Sequence, residues 1–158
     1  MASELRVDRI IPTTGVPTGG GGGIIQVKQS LYNTHATYNS TSYAALSGFT
    51  VSITPTRADS KILIILNLLI EARSNVIVGV QLTRGGSTLF ANNGGYRETN
   101  STASGGYNTM TYLDSPATTN AVTYGVETCG NAASNYAINN YFGSGPANSF
   151  LTVMEVSG

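Results

Sequence analysis

The sequence predicts an all-β chain, an antiparallel two-sheet β-sandwich of jelly-roll-like build behind an extended N-terminal arm, and three observations carry that expectation. Apolar and polar residues alternate with period two over strand-length runs, most plainly in Phe49-Thr50-Val51-Ser52-Ile53, from Val76 to Leu82 and from Phe150 to Val156. Clusters of Gly, Asn, Ser and Thr punctuate those runs, and from residue 24 onward no window keeps the spacing of a useful amphipathic helix. Only 10% of the 158 residues are charged while 41% are hydrophobic, against roughly 25% charged in an ordinary soluble domain. Solubility is therefore left to uncharged hydroxyl and amide side chains.

The arm comes first. Leu5, Val7, Ile10 and Ile11 stand among Arg6, Asp8 and Arg9, the pattern of a short strand that adds to a partner surface. A disordered tail is the competing reading, but it gives no reason for the spaced apolar residues. The glycines at 19–23, after Pro12 and Pro17, mark a linker, so residues 1–23 are read as a docking arm and 24–158 as the β-sandwich domain.

Within the domain nine strands are expected: Ile24 to Ser30, Ser47 to Thr54, Lys61 to Ala72, Val76 to Arg84, Thr88 to Ala91, Tyr107 to Asp114, Ala121 to Thr128, Tyr136 to Asn140 and Ser149 to Val156. The third shows no alternation, so both of its faces are expected to be covered, one by the core and the other by a neighbouring subunit. Ile62, Ile64, Leu66, Leu68 and Ile70 are the candidate subunit interface, and a central strand under a long loop is the alternative. Arg84-Gly85-Gly86-Ser87 reads as a hairpin tip. The polar stretch from Asn92 to Gly106 reads as an exposed loop, and Tyr96 and Arg97 within it, with Tyr107 just after, are the candidate ligand site. Thr34 to Ala45 is read as a second loop, and most of the other tyrosines as rings closing the sandwich ends.

Eight basic and eight acidic residues cancel, so the chain lacks the basic stripe that neutralises phosphates, and no nucleic-acid partner is expected. Low charge at zero net charge also favours association, and a homo-oligomer is expected. Cys129 is the single cysteine and forms no intrachain disulfide; it is read as a small packed residue. The longest apolar run, Ile62 to Ile70, is interrupted by Asn67 and is far shorter than the roughly 20 residues of a membrane-crossing helix. No membrane span and no secretory signal are expected.

Catalytic signals are absent. His35 is the only histidine and has no Cys or carboxylate at ligand spacing, so no metal site is expected. Gly143-Ser144-Gly145 fits a turn rather than a nucleophile elbow, and the glycine run at 19–23 lacks the Gly-Lys-Ser/Thr of a phosphate loop. The carboxylates are scattered, most beside bases, as in Asp8-Arg9 and Arg97-Glu98, so no glycosidase pair stands out. No catalytic residue, cofactor or enzyme activity is expected.

Leu5-Arg6-Val7-Asp8-Arg9-Ile10-Ile11-Pro12, then the glycine run into Ile24-Ile25-Gln26-Val27, resembles the opening of small structural proteins of marine and cyanobacterial phages. The resemblance continues through Phe49 to Pro55, Ser60 to Ile64 and the closing Ser149 to Val156, and so covers nearly the whole chain. It implies a virion protein of the tail-fibre or decoration type, assembled in the host cytoplasm and commonly trimeric. The N-terminal segment would dock on other virion proteins while the β-domain points outward, where it could meet a host surface glycan. Two other roles fit the same residues: a capsid decoration or tail adaptor with purely structural work, and a free lectin-like carbohydrate-binding module.

Overall fold

The computed structural model describes residues 23–72, 75–97, 104–131, 136–140 and 147–157, and over these the chain is all-β with no helix. The arm residues Leu5, Val7, Ile10 and Ile11 lie outside the described residues. The strands run β1 (Ile24–Tyr32), β2 (Ala36–Tyr38), β3 (Ala44–Ile53), β4 (Lys61–Ala72), β5 (Ile77–Arg84), β6 (Ser87–Arg97), β7 (Ser104–Asp114), β8 (Val122–Gly130), β9 (Tyr136–Ile138) and β10 (Ser149–Val156). They form two antiparallel sheets, one of six strands and one of four.

The six-stranded sheet is organised around β4. Along one side of β4, β7 pairs from Ile62 to Ala72. Along the other, β10 pairs with Lys61 to Asn67 and β9 takes over at Ile70 to Ala72. Outside these, β1 flanks β10 and β2 flanks β9. The second sheet has the order β3-β8-β5-β6. Between β5 and β6, Gly85 and Gly86 carry φ of 57° and 82°, the positive pair that a two-residue hairpin turn demands and that glycine adopts without a Cβ penalty.

Side chains at even positions of β4 point between the sheets. Ile62, Ile64, Leu66, Leu68 and Ile70 are all 0% exposed and belong to one core with Phe49, Val51, Ile53, Val78, Val80, Leu82, Tyr124, Val126, Leu151 and Val153. Each such burial contributes about 1.5–3 kcal/mol relative to exposure. The five residues expected at a subunit interface are thus the interior of this chain, already shielded by the four-stranded sheet. The long apolar run of β4 does occupy two faces, but its outward members are Leu63, Ile65 and Leu69.

Buried polar groups tie the layers together. Arg84 of β5 donates to both oxygens of Asp114 of β7 at 2.9 and 2.8 Å, and the Tyr124 hydroxyl donates to the same carboxylate at 2.7 Å. This triad clamps one sheet to the other, and burial with the Asp114 carboxylate beside it pushes the Tyr124 phenol up. At Glu155, fully buried, the carboxylate accepts from Gln26 Nε2 at 2.6 Å and from the Thr56 backbone N–H and hydroxyl, each at 2.7 Å. Burial alone would raise this carboxyl, but those donors prevail and hold it below the ordinary range. Further along β4, Asn139 donates to the Tyr32 carbonyl at 2.7 Å and accepts from Ser149, whose hydroxyl also receives the Leu69 N–H at 3.0 Å.

One expected loop is largely strand and the other contains a short one. β6 extends through Asn92-Asn93-Gly94-Gly95 to Arg97 and β7 starts at Ser104, so most of the stretch from Asn92 to Gly106 is in the sheets. The register explains it: Val78 opposes Tyr96 while Val80 opposes Asn92, so the β6 edge strand absorbs the extra Asn-Gly residues as a bulge opposite Gly79. The stretch from Thr34 to Ala45 contains β2, a three-residue strand that is held by β9.

Candidate functional site: the outer face of the six-stranded sheet

Register fixes which side chains share this face. Opposite Leu63 of β4 stand Met154 of β10 and Leu113 of β7, and Val27 of β1 stands beyond Met154. The next row reads Gln29, Thr152, Ile65 and Thr111, and the one after it Leu31, Phe150, Asn67 and Thr109. Ile24 and Val156 begin the face near Lys61, and Leu69 with Tyr107 ends it. Antiparallel pairing places these side chains in contact across the strands.

The face is apolar and open. Ile24 is 60% exposed, Val27 51%, Leu31 53%, Leu113 50% and Tyr107 58%, which makes five of the six large exposed hydrophobics among the described residues. The sixth, Phe90, stacks on Tyr112 at 6.0 Å and closes the rim between the sheets. From the exposed fractions these five side chains leave roughly 500 Å² of accessible area, which at about 25 cal/mol per Å² is on the order of 12 kcal/mol of gross burial energy.

The face is also prepared for desolvation. No Asp, Glu, Lys or Arg stands in its rows between Lys61 and Leu69, and its polar side chains, Thr111 apart, already hold hydrogen bonds. Gln29 donates to Thr152 Oγ1 at 2.8 Å, Thr109 donates to Asn67 Oδ1 at 2.7 Å, and the Tyr107 hydroxyl donates to the Asn148 carbonyl at 3.2 Å. A surface whose hydrogen bonds are already made loses little when water leaves.

The opposite exterior has a different character. The outer face of the four-stranded sheet presents Thr50, Ser52, Thr123 and Glu127, with Gln81 bonded to Glu127 and Ser52 to Thr123. Tyr43 crosses it over Gly79 and bonds Asn93 at 2.7 Å. Its phenol is pushed up to about 12 by burial and by the neighbouring Cys129. A shallow groove of about 270 Å³ beside the β3 bulge is lined by Leu46, Thr50, Thr83, Gly125 and Glu127, among others, and holds no aromatic ring.

The candidate ligand residues do not converge. Tyr96 opposes Val78, is half-buried, and bonds Ser104 at 2.7 Å through its hydroxyl, so its polar tip is already used. Arg97 is exposed at the end of β6, and Tyr107 belongs to the outer face of the other sheet. Alternation along β7 separates Tyr107 from Tyr96, which packs against Gly106. His35 is exposed between β1 and β2, and Cys129 is half-buried beneath Tyr43. Among the described residues no three His, Cys, Asp or Glu side chains gather to hold a metal, and no helix is long and apolar enough to cross a membrane.

No protein family matches this chain. Nor does any curated protein match it. Among solved structures, the chain is similar to the Gx strain of infectious bursal disease virus, with a TM-score of 0.48 and 11% identity over 92% of this chain and 44% of that one. The Gt strain of the same virus gives a TM-score of 0.45 at 12% identity, again over 92% of this chain and 44% of that one. The VP2 protein of the virus in derived T=1 particles gives 0.48 at 11% identity, over 92% and 43%. The chain spans less than half the length of each. At these identities and TM-scores, no property of those proteins passes to this one.

Signals for the apolar face were present in the sequence at single positions. Val27, Leu31 and Leu113 sit in strand-like runs, but only the register shows that they share one surface.

Proposed function

We propose that this chain is a bacteriophage virion structural subunit, a homotrimeric tail fibre or knob that works by assembly and adhesion and performs no chemistry. The observation that supports the reading is the outer face of the six-stranded sheet: an apolar surface with no charged side chain in the rows between Lys61 and Leu69, on a protein of zero net charge, with Gln29 bonded to Thr152 and Thr109 to Asn67. Such a face fits a permanent protein interface better than a ligand pocket. The phage assignment rests on the resemblance of residues 5–12, 49–55, 60–64 and 149–156 to small phage structural proteins. In this reading residues 1–23 attach the subunit to the particle, and adhesion to a host glycan draws on the avidity of three copies rather than on one strong site.

Light scattering of the full chain over a range of micromolar concentrations tests the assembly step. A trimer is expected, and a monodisperse monomer throughout would overturn the proposal. Glycan binding by the assembled protein separates an adhesin from a decoration or adaptor subunit, which would bind none.

A further inference from the structure

The domain has an open apolar face, and the chain has an apolar segment outside that domain. We propose that residues 5–11 of one copy lie across the outer face of the six-stranded sheet of the next copy, so that identical subunits close a ring by exchanging arms. The inference rests on the reading of that face as an assembly surface, names what covers it, and has residues 5–11 attach to the neighbouring copy instead of to the particle.

Size is the first argument. The five exposed large hydrophobics of the face leave roughly 500 Å² of accessible apolar area. A stable interface buries about 800 Å² per partner, more than these five side chains supply. A segment carrying Leu5, Val7, Ile10 and Ile11 adds buried area that the bare face lacks.

The position of the chain start is the second argument. Gly23 is fixed beside Ser157, its carbonyl accepting from the Ser157 N–H at 3.1 Å and its own N–H donating to Ser157 Oγ at 3.2 Å. The arm therefore leaves from the corner of the face, at Ile24. Residues 12–23 can reach at most about 40 Å, against a width of about 35 Å for a domain of this size.

The spacer favours the neighbour over the same chain. Pro12 and Pro17 bracket six residues that span about 19 Å when extended in the polyproline form. The distance across the subunit's own face, from β1 to β7, is three strand spacings, about 14 Å. A spacer in this form running across the strands would carry residues 5–11 past the subunit's own sheet. Passing each arm to the next subunit is a heterologous contact, which closes when the rotation between copies allows it and gives a trimer at three.

Disulfide trapping in the full chain tests this. Two differently tagged chains, each carrying Cys129→Ala, are co-expressed, one with Ile10→Cys and the other with Thr111→Cys, an exposed position in the middle row of the face on its edge strand β7. Oxidation is expected to join the two tags, and Leu5→Asp with Ile10→Asp is expected to abolish assembly. A chain carrying both new cysteines that closes only on itself would overturn the exchange, as would an assembly that forms without any cross-link. A wild-type chain that is monomeric throughout would remove the assembly reading as well, so the two failures are distinct.

Discussion

Replacing Leu66 by alanine and, separately, Leu63 by aspartate should give opposite results although both residues lie in the apolar run of β4. Leu66 is 0% exposed and is flanked on the inner face by Leu151 of β10 and Met110 of β7, both nearly fully buried. A central strand with partners on both sides and a second sheet above cannot collapse into the space left, so the cost belongs in the upper part of the Leu→Ala range, about 3–5 kcal/mol. With a urea m-value near 2 kcal/mol/M, the unfolding midpoint should fall by about 2 M. Leu63 is half-buried on the outer face, so aspartate there should cost the isolated subunit about 1 kcal/mol or less while placing a charge in the proposed interface. The assay is urea unfolding by tyrosine fluorescence at a protein concentration low enough to keep subunits apart, beside light scattering at high concentration. A larger midpoint loss for Leu63→Asp than for Leu66→Ala would refute the assignment of faces on which the rest depends.

Two other predictions follow from side chains inside the fold. The Glu155 carboxyl is held below its ordinary value in the folded protein, so its stabilising effect is fully present above the unfolded value, near 4.5, and is lost as pH falls through the lower folded value. Denaturant midpoints measured below pH 4.5 should therefore drop more steeply for the wild type than for Glu155→Gln, which at neutral pH is less stable by about 1–3 kcal/mol because its amide NH₂ meets three donors; equal acid slopes would contradict this. A Cβ at Gly79 would come within 2.6 Å of the Tyr43 hydroxyl and 2.9 Å of Cys129 Sγ, so Gly79→Ala should cost about 1–3 kcal/mol in thermal unfolding, and adding Tyr43→Ala should recover part of it.

Fold class was legible in the sequence because period-two alternation needs no tertiary information. β4 and β10 have the expected limits, and Gly85-Gly86 forms the expected tip. What sequence could not supply was parity along an apolar run without alternation. With Ile and Leu at both odd and even positions of β4, only the pairing with β7 and β10 shows that Ile62 to Ile70 face inward in alternation with Leu63 to Leu69. Propensity also misled at Asn92 to Arg97, where glycine and asparagine argue for a loop but the hydrogen bonds of β5 hold an edge strand with a bulge. The candidate ligand residues are spread apart for the same reason. Tyr96 and Tyr107 are near in sequence, but strand alternation and the step from one sheet to the other send them to different surfaces.

In our proposal subunits meet at the outer face of the six-stranded sheet. The most direct test is the solution mass of the full chain beside Leu113→Asp, a change at a half-exposed position that leaves the core untouched. The account predicts a trimer for the wild type and a folded monomer for the variant; a variant that keeps the wild-type mass would contradict it.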